Sequence, residues 1–410
     1  MNKNIKLAVA GAVLALSSQA NAGIIIPAGD WTIDLNGNVN AFAIFGKTKG
    51  NSGANAVTGG LASVQDASGE DRTQGINTGL LPAWLGVTGS TRQNDVDTSF
   101  TISLQPGVSD NASAGSSSTN VEYRQAFLTF GDKSWGSFKL GKDLGIFASD
   151  AILNDMTLLG VGSLSPNAAS TTSASGGTTT LGGIGTGYIY AAWKGQIAYT
   201  TPNFNGFQVT VGITNPNQAS AATAVSGAAD LYQDRFGLEG KASYSFAADN
   251  FTGKVWVGGA TYDVKTTSVV SYTATAADLG ANVNAGGFGL TGYYYKGEGA
   301  GTTFFGANGA TSAGAKRDSD GGYIQATYVL PTKTKLGLAY GVSSLDLANG
   351  DTAAASNHLV KDNERMTAGL YHPLTKHLNL VAEYSNVEAK AHSGRKNENN
   401  IGSLGAILFF

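Results

Sequence analysis

The chain has no cysteine among its 410 residues. An exported soluble protein of this length could draw on disulfides, whereas a chain that closes its own hydrogen-bond ladder has less need of them. Charge is scarce too, at 13% Asp, Glu, Lys and Arg against about 25% in an ordinary soluble domain. Mean hydropathy is −0.06, and beyond the first residues no run resembles a membrane-spanning helix. No basic patch points to nucleic acid. The four histidines, His358, His372, His377 and His392, show no metal-ligand spacing, and no motif of a known nucleophilic enzyme is present. Gly183-Ile184-Gly185-Thr186-Gly187 superficially looks like a nucleotide loop. In so glycine-rich a chain that match is expected by chance, and no βαβ context surrounds it. No cofactor is implied, and catalysis is not expected.

The first residues have the three parts of an export signal: Lys3 and Lys6, an apolar stretch from Leu7 to Leu16, and Ala20-Asn21-Ala22 as an A-x-A cleavage site. The apolar stretch is about half of the roughly 20 residues a spanning helix needs. Two segments are therefore expected, a signal peptide over 1–22 and a mature domain over 23–410. Removal of the signal takes two lysines away and the formal charge from −3 to −5.

Glycine is abundant, at 57 residues, with 16 tyrosines and 17 phenylalanines. Strict alternation recurs along the mature chain. Ile33, Leu35, Val39, Ala41, Ala43 and Phe45 share one face, and Asp34, Asn36, Asn38 and Asn40 the other. Period two places neighbours on opposite faces, which a helix does not. Short links alternate with long ones rich in Gly, Ala, Ser, Thr and Asn, the longest being 144–186. Outer-membrane barrels alternate in this way, with short turns at the periplasm and long loops outside.

The pattern predicts about sixteen strands: 31–45, 79–90, 96–105, 120–131, 136–143, 187–200, 207–214, 235–246, 251–264, 276–284, 288–297, 321–330, 335–344, 364–371, 378–387 and 399–410. The fold class is all-β, an antiparallel transmembrane barrel wide enough for an aqueous channel. Charges on the predicted inner face include Lys194, Arg235, Glu239, Lys241, Lys335, Arg365 and Glu383. An ionisable group facing lipid costs about 2–4 kcal/mol at the midplane, so these are expected to line a wet lumen.

Three segments stand out beyond the alternation. One is Tyr123-Arg124-Gln125-Ala126-Phe127-Leu128 with Trp135-Gly136-Ser137-Phe138-Lys139-Leu140-Gly141-Lys142. A second is Ile197-Ala198-Tyr199-Thr200-Thr201-Pro202-Asn203-Phe204-Asn205-Gly206-Phe207, and the third is the last strand, ending in Phe410. Together these segments resemble the Gram-negative general porins, and the resemblance implies a third loop folded into the pore and an eyelet where loop acids face wall cations across a transverse field. Asp155 matches a loop acid of the family and Arg124 a wall arginine. Asn38 stands where a lysine is common, Trp84 where an arginine is common, and Leu159 where a glutamate is common. An eyelet so short of charge implies weak ion selectivity.

Each of these residues has a plainer role as well. Arg124 could be an ordinary hydrated wall charge, Asp155 a helix cap, and Trp84 an interfacial aromatic. The resemblance further implies a homotrimer in outer-membrane lipid and lipopolysaccharide, with Phe410 as the signal read by the barrel-assembly machinery. The implied function is passive diffusion of small hydrophilic solutes and ions. A substrate-specific channel and a non-transporting surface barrel acting as adhesin or receptor are the alternatives.

Overall fold

A computed structural model describes residues 23–49, 56–65, 69–108, 121–164, 179–215, 235–265, 271–351 and 358–410. The signal segment, the first residue of the strand expected over 120–131, and residues 165–178 of the longest link lie outside the described residues.

The described chain is a closed antiparallel sheet. Its strands are β1 (Ile24–Ala28), β2 (Trp31–Lys49), β3 (Arg72–Asn77), β4 (Trp84–Gln93), β5 (Val96–Pro106), β6 (Val121–Asp132), β7 (Gly136–Leu144), β8 (Trp193–Thr200) and β9 (Phe207–Thr214). They continue as β10 (Gly237–Ala248), β11 (Phe251–Lys265), β12 (Ser271–Ala285), β13 (Phe288–Glu298), β14 (Asp318–Val329), β15 (Lys335–Leu345), β16 (Val360–Pro373), β17 (Leu378–Ala391) and β18 (Lys396–Phe409). Eighteen strands make sixteen staves. β3 and β4 lie end to end along β2, and β1 pairs with β2 just below the point where β18 stops. Closure is by β18 on β2, from Glu398↔Lys49 to Phe409↔Asn38. Every expected strand coincides with an observed one.

Alternation sets the two faces. Val39, Leu279, Ile324, Leu338 and Leu404 are large, apolar and exposed on the outside, the pattern of a lipid-facing band. Near the short turns, Phe130, Trp135, Phe138 and Tyr199 cluster with neighbouring ring centroids 5.1–6.5 Å apart, as aromatic rings do at a membrane–water interface.

Two strands start later than expected by five residues or more, each for a local reason. The strand expected over 79–90 begins only at Trp84. Pro82 has no N–H to give a ladder, and residues 78–83 bend inward. Asn40 Nδ2 donates to Leu81 O (3.0 Å) and Asn38 Nδ2 to Pro82 O (2.9 Å), while Gly79 N donates to Asn40 Oδ1 (2.9 Å). These side chains stand in for the missing rungs. The strand expected over 187–200 starts at Trp193, because residues 187–192 belong to the third outer loop, residues 145–192, which turns into the barrel.

The lumen is fuller than expected. Phe147, Ala151, Val161 and Tyr188 of the third loop are buried, as are Leu61, Leu80 and Phe305 from other inward segments. They pack on inward wall residues such as Trp256, Tyr262, Tyr295 and Val387. The apolar core of this protein therefore sits inside its barrel.

Candidate functional site

The third loop carries one short helix, α1 (Ser149–Asn154), and a 3-10 turn at Met156–Leu159. Wall side chains of β10 to β17 hold it, mostly by its backbone. Glu239 of β10 accepts Ile146 N (2.6 Å) and Phe147 N (3.0 Å). Asp278 of β12 accepts Ala148 N (3.2 Å), and Gln325 of β14 accepts Met156 N (2.6 Å). Glu383 of β17 accepts Val161 N (2.7 Å) and Gly162 N (2.9 Å). A loop crossing a lumen has no ladder for its amides, and a buried carboxylate needs donors. Each need meets the other, at about 1.5–3 kcal/mol per hydrogen bond to a charged group.

These contacts correct the reading of several wall charges as hydrated pore-liners. Lys194 is buried and donates to Glu239 Oε1 (2.7 Å) and the Tyr262 hydroxyl (3.0 Å). Glu383 also accepts the Tyr371 hydroxyl (2.6 Å). Lys241 and Lys254 both grip Asp150 of α1, Lys241 at 2.8 Å. Burial alone would push the Asp150 carboxyl up, but the two lysines outweigh it and hold it below its ordinary 3.8. Lys335 is half-buried with its ammonium over the Tyr371 ring, 4.8 Å from the centroid. Arg235 is not on the lumen wall at all. It lies ahead of β10 and pairs at 2.8 Å with Asp263, which points outward on β11.

Asp155 and Arg124 occupy separate networks. Asp155 caps the 3-10 turn through Thr157 N (2.9 Å) and receives the Tyr188 hydroxyl (2.9 Å). Its ion-pair partner is Arg365 of β16, at 3.6 Å with both side chains 1% exposed. Burial first, then the Asp155 carboxylate, pushes the Tyr188 hydroxyl well above its usual value, so it stays a donor. Arg365 also donates to Thr186 Oγ1 (3.2 Å) and Thr367 Oγ1 (2.9 Å). Asp155 and Arg365 thus fasten the loop to the far wall.

The wall from β2 to β7 differs. Phe409, Asn38 and Trp84 form one register row, and on the neighbouring strands Gln105 pairs with Glu122. Arg124 Nε donates to Glu122 (2.6 Å), and its Nη2 reaches Thr179 Oγ1 on the returning arm of the third loop at 3.4 Å. Glu122 keeps 26% of its side chain exposed. Trp84 is half-buried, edge-on to Phe409 at 6.5 Å, with Nε1 3.3 Å from Asn36 Oδ1. Leu159 is half-buried beside the inward bend, where Leu80 N donates to Gly160 O (2.8 Å). Below this row, Gln105 Nε2 donates to Ser103 (2.6 Å), Ser103 to Gln125 (3.1 Å), and Gln125 to Asp143 (3.1 Å), which also holds Lys139. This polar strip had no sequence signal beyond alternation, because Gln and Ser are ordinary inward residues. The sequence-expected eyelet residues Asn38, Trp84 and Arg124 therefore lie on one arc of wall. Leu159 borders that arc, while Asp155 faces away from it.

A sixteen-stave antiparallel barrel narrowed by an inward third loop is a membrane diffusion channel. A family model described as Gram-negative porin matches residues 7–392. The chain belongs to that family of outer-membrane channels for passive diffusion of small solutes. No curated protein matches it in sequence. Among solved structures it is similar to the outer-membrane channel DcaP of Acinetobacter baumannii, at 16% identity and TM-score 0.66 over 94% of this chain and 99% of that one. An anion-selective porin from Comamonas acidovorans matches at 14% identity and TM-score 0.62, over 93% and 100%. Salmonella typhi OmpF, in complex with daunomycin, matches at 14% and 0.59, over 94% and 100%. At such identities these neighbours share the fold alone.

Proposed function

We propose that this porin is a weakly ion-selective channel whose eyelet lies between the arc Trp84, Gln105, Glu122 and Arg124 and the third loop at Leu159 and Thr179. The observation that carries it is the Arg124–Thr179 contact, which joins wall to loop beside groups that keep partial exposure. Asn38 and Asp155 serve the eyelet indirectly, one by holding the inward bend and the other by fixing the loop. Single-channel conductance tests the assignment. Arg124→Ala should change open-channel current, while Arg235→Ala at the outer rim should not. Equal effects would place the constriction elsewhere.

The mature protein is proposed to begin at Gly23. Gly23 packs so closely on Asp34 that a Cβ there would collide with the carboxylate, and Asp34 Oδ1 is buried with no hydrogen-bond partner among the described residues. Cleavage after Ala22 would free an ammonium beside that oxygen. A homotrimer fits the family, and one solved neighbour, OmpT of Vibrio cholerae, is described in a trimer form. Lipopolysaccharide suits the outward Lys49–Glu398 and Lys390–Glu364 pairs above the apolar band. Recognition by the assembly machinery is assigned to Phe410, whose backbone exchanges two hydrogen bonds with Gly37 (2.8 and 3.0 Å).

A further inference from the structure

The third loop meets the wall at two cations that share one acid. Lys241 and Lys254 both bind Asp150 of α1, and Lys241 also donates to Ser149 Oγ (2.9 Å). The register shows from which side they come. Lys241 lies in the row of Thr210, Gly258 and Asp278, whose carboxylate holds the loop at Ala148. Lys254 is on β11 four residues nearer the short turns than Gly258, which is about 13 Å along a strand. Its ammonium therefore reaches Asp150 from the periplasmic side of the loop.

In this cluster the cations meet the water and the acid does not. The side chains of Lys241 and Lys254 are 20% and 32% exposed, and that of Asp150 only 5%. Lys139, near the periplasmic start of β7, repeats the arrangement and is more exposed than its partner Asp143. Two ammoniums have six N–H donors. Asp150 takes two of them and Ser149 one. Three donors and one positive charge are left without a protein partner among the described residues. The next inward acids on these strands, Glu239 and Asp278, are buried under the loop and bond neither lysine.

We infer that Lys241 and Lys254 form a binding site for a small oxyanion on the periplasmic side of the third loop, phosphate and phosphate monoesters in chemical class. A phosphate group has three oxygens for the three unspent donors and about −1.5 to −2 charge near neutral pH. A carboxylate has two oxygens and a single charge. The inward neighbours of the lysines, Thr210, Ser243 and Asn282, bring no further acid to the site. Asp150 already holds both ammoniums in place, so binding has little side-chain ordering to do. The site lies on the far side of the loop from the eyelet and does not depend on where that constriction falls.

The test is single-channel current through the purified mature porin in about 0.1 M KCl, where the Debye length is about 10 Å, with phosphate, glycerol phosphate or acetate added. Both phosphates should reduce the current along a saturating curve. Acetate should need roughly tenfold more, the worth of one further hydrogen bond to a charged group. Lys254→Gln should raise the half-blocking phosphate concentration roughly fivefold, the worth of one partly exposed ion pair, and Lys254→Arg should restore most of it. Asp150→Asn should lower it, because two donors and one compensating charge are released, whereas a merely loosened loop would not bind phosphate more tightly. Arg235→Ala at the outer rim should leave it unchanged. A current that phosphate leaves alone, or lowers only in proportion to its concentration, overturns the inference. So do equal half-blocking concentrations for phosphate and acetate, or for the wild type and Lys254→Gln.

Discussion

Glu239 and Glu122 are both glutamates on inward positions of adjacent-strand sheet, yet they do unlike work. Glu239 has no exposed side-chain surface and holds two loop amides and Lys194. Glu122 is a quarter exposed and holds Arg124 at the edge of the opening. The same contrast separates whole arcs of wall. From β10 to β17 the inward charges, Lys335 apart, are fastenings for the third loop. From β4 to β7 they are paired with one another and still touch the lumen. Inward placement is therefore insufficient to make a charge part of the pathway; what it binds decides.

The largest effect should come from the fastening arc. Glu239→Ala strands Lys194 in a buried site and leaves Ile146 and Phe147 amides without their acceptor. Breaking a buried ion pair costs about 3–5 kcal/mol. The folded, heat-modifiable form should convert at a clearly lower temperature on a gel, and the channel should flicker as the loop root loosens. Wild-type melting with quiet current would break the division between the arcs.

A smaller effect, in selectivity, sharpens it. Glu122→Gln should shift the reversal potential under a salt gradient toward anions, by a few-fold in permeability, where about 1.4 kcal/mol would give tenfold. High salt should shrink the shift, since the Debye length falls to about 3 Å at 1 M. Asp155→Asn should move it much less, because that carboxylate is buried against Arg365. Equal shifts would mean that Asp155 does reach the pathway.

The smallest effect is in acid. Asp150 is held below its ordinary 3.8 in the folded protein. Its contribution to stability is complete above that value and is lost as pH falls through the lower, folded-state value. Asp150→Asn should therefore flatten the acid end of the melting-temperature curve and leave its shape near neutrality alone. An unchanged acid limb would show that Lys241 and Lys254 do not depend on this partner.

Much of the fold was legible in the sequence because alternation is local. Each stave's lipid face, such as Phe236, Leu238 and Tyr244 on β10, announces itself in a few residues. The split of the second stave was harder. Pro82 warned against a continuous strand, but that Asn38 and Asn40 replace the missing rungs depends on a neighbour some forty residues away. The site was legible by half. Trp84 and Asn38 share a row that follows from register, whereas Arg124 stands at the irregularity between β5 and β6. The partners of Asp155, Glu239 and Glu383 did not show, because a loop's path across a lumen has no period. Arg235 misled for a simpler reason: it stands two residues before its strand begins, where alternation no longer assigns a side.

The stave formed by β1 and β18 joins the two extremes of the chain against β2. On one side of β2, residues 38–49 find their partners in residues 398–409, which emerge some 350 residues later during synthesis and export. Until those arrive, β2 keeps an open edge that invites wrong pairing, and every other hairpin can form without sealing the ring. Loop-closing contacts this distant form slowly. A chain cut short near its end is thus not a smaller channel but an unclosed sheet with two raw margins. For this protein, quality control in the periplasm has a single late event to watch.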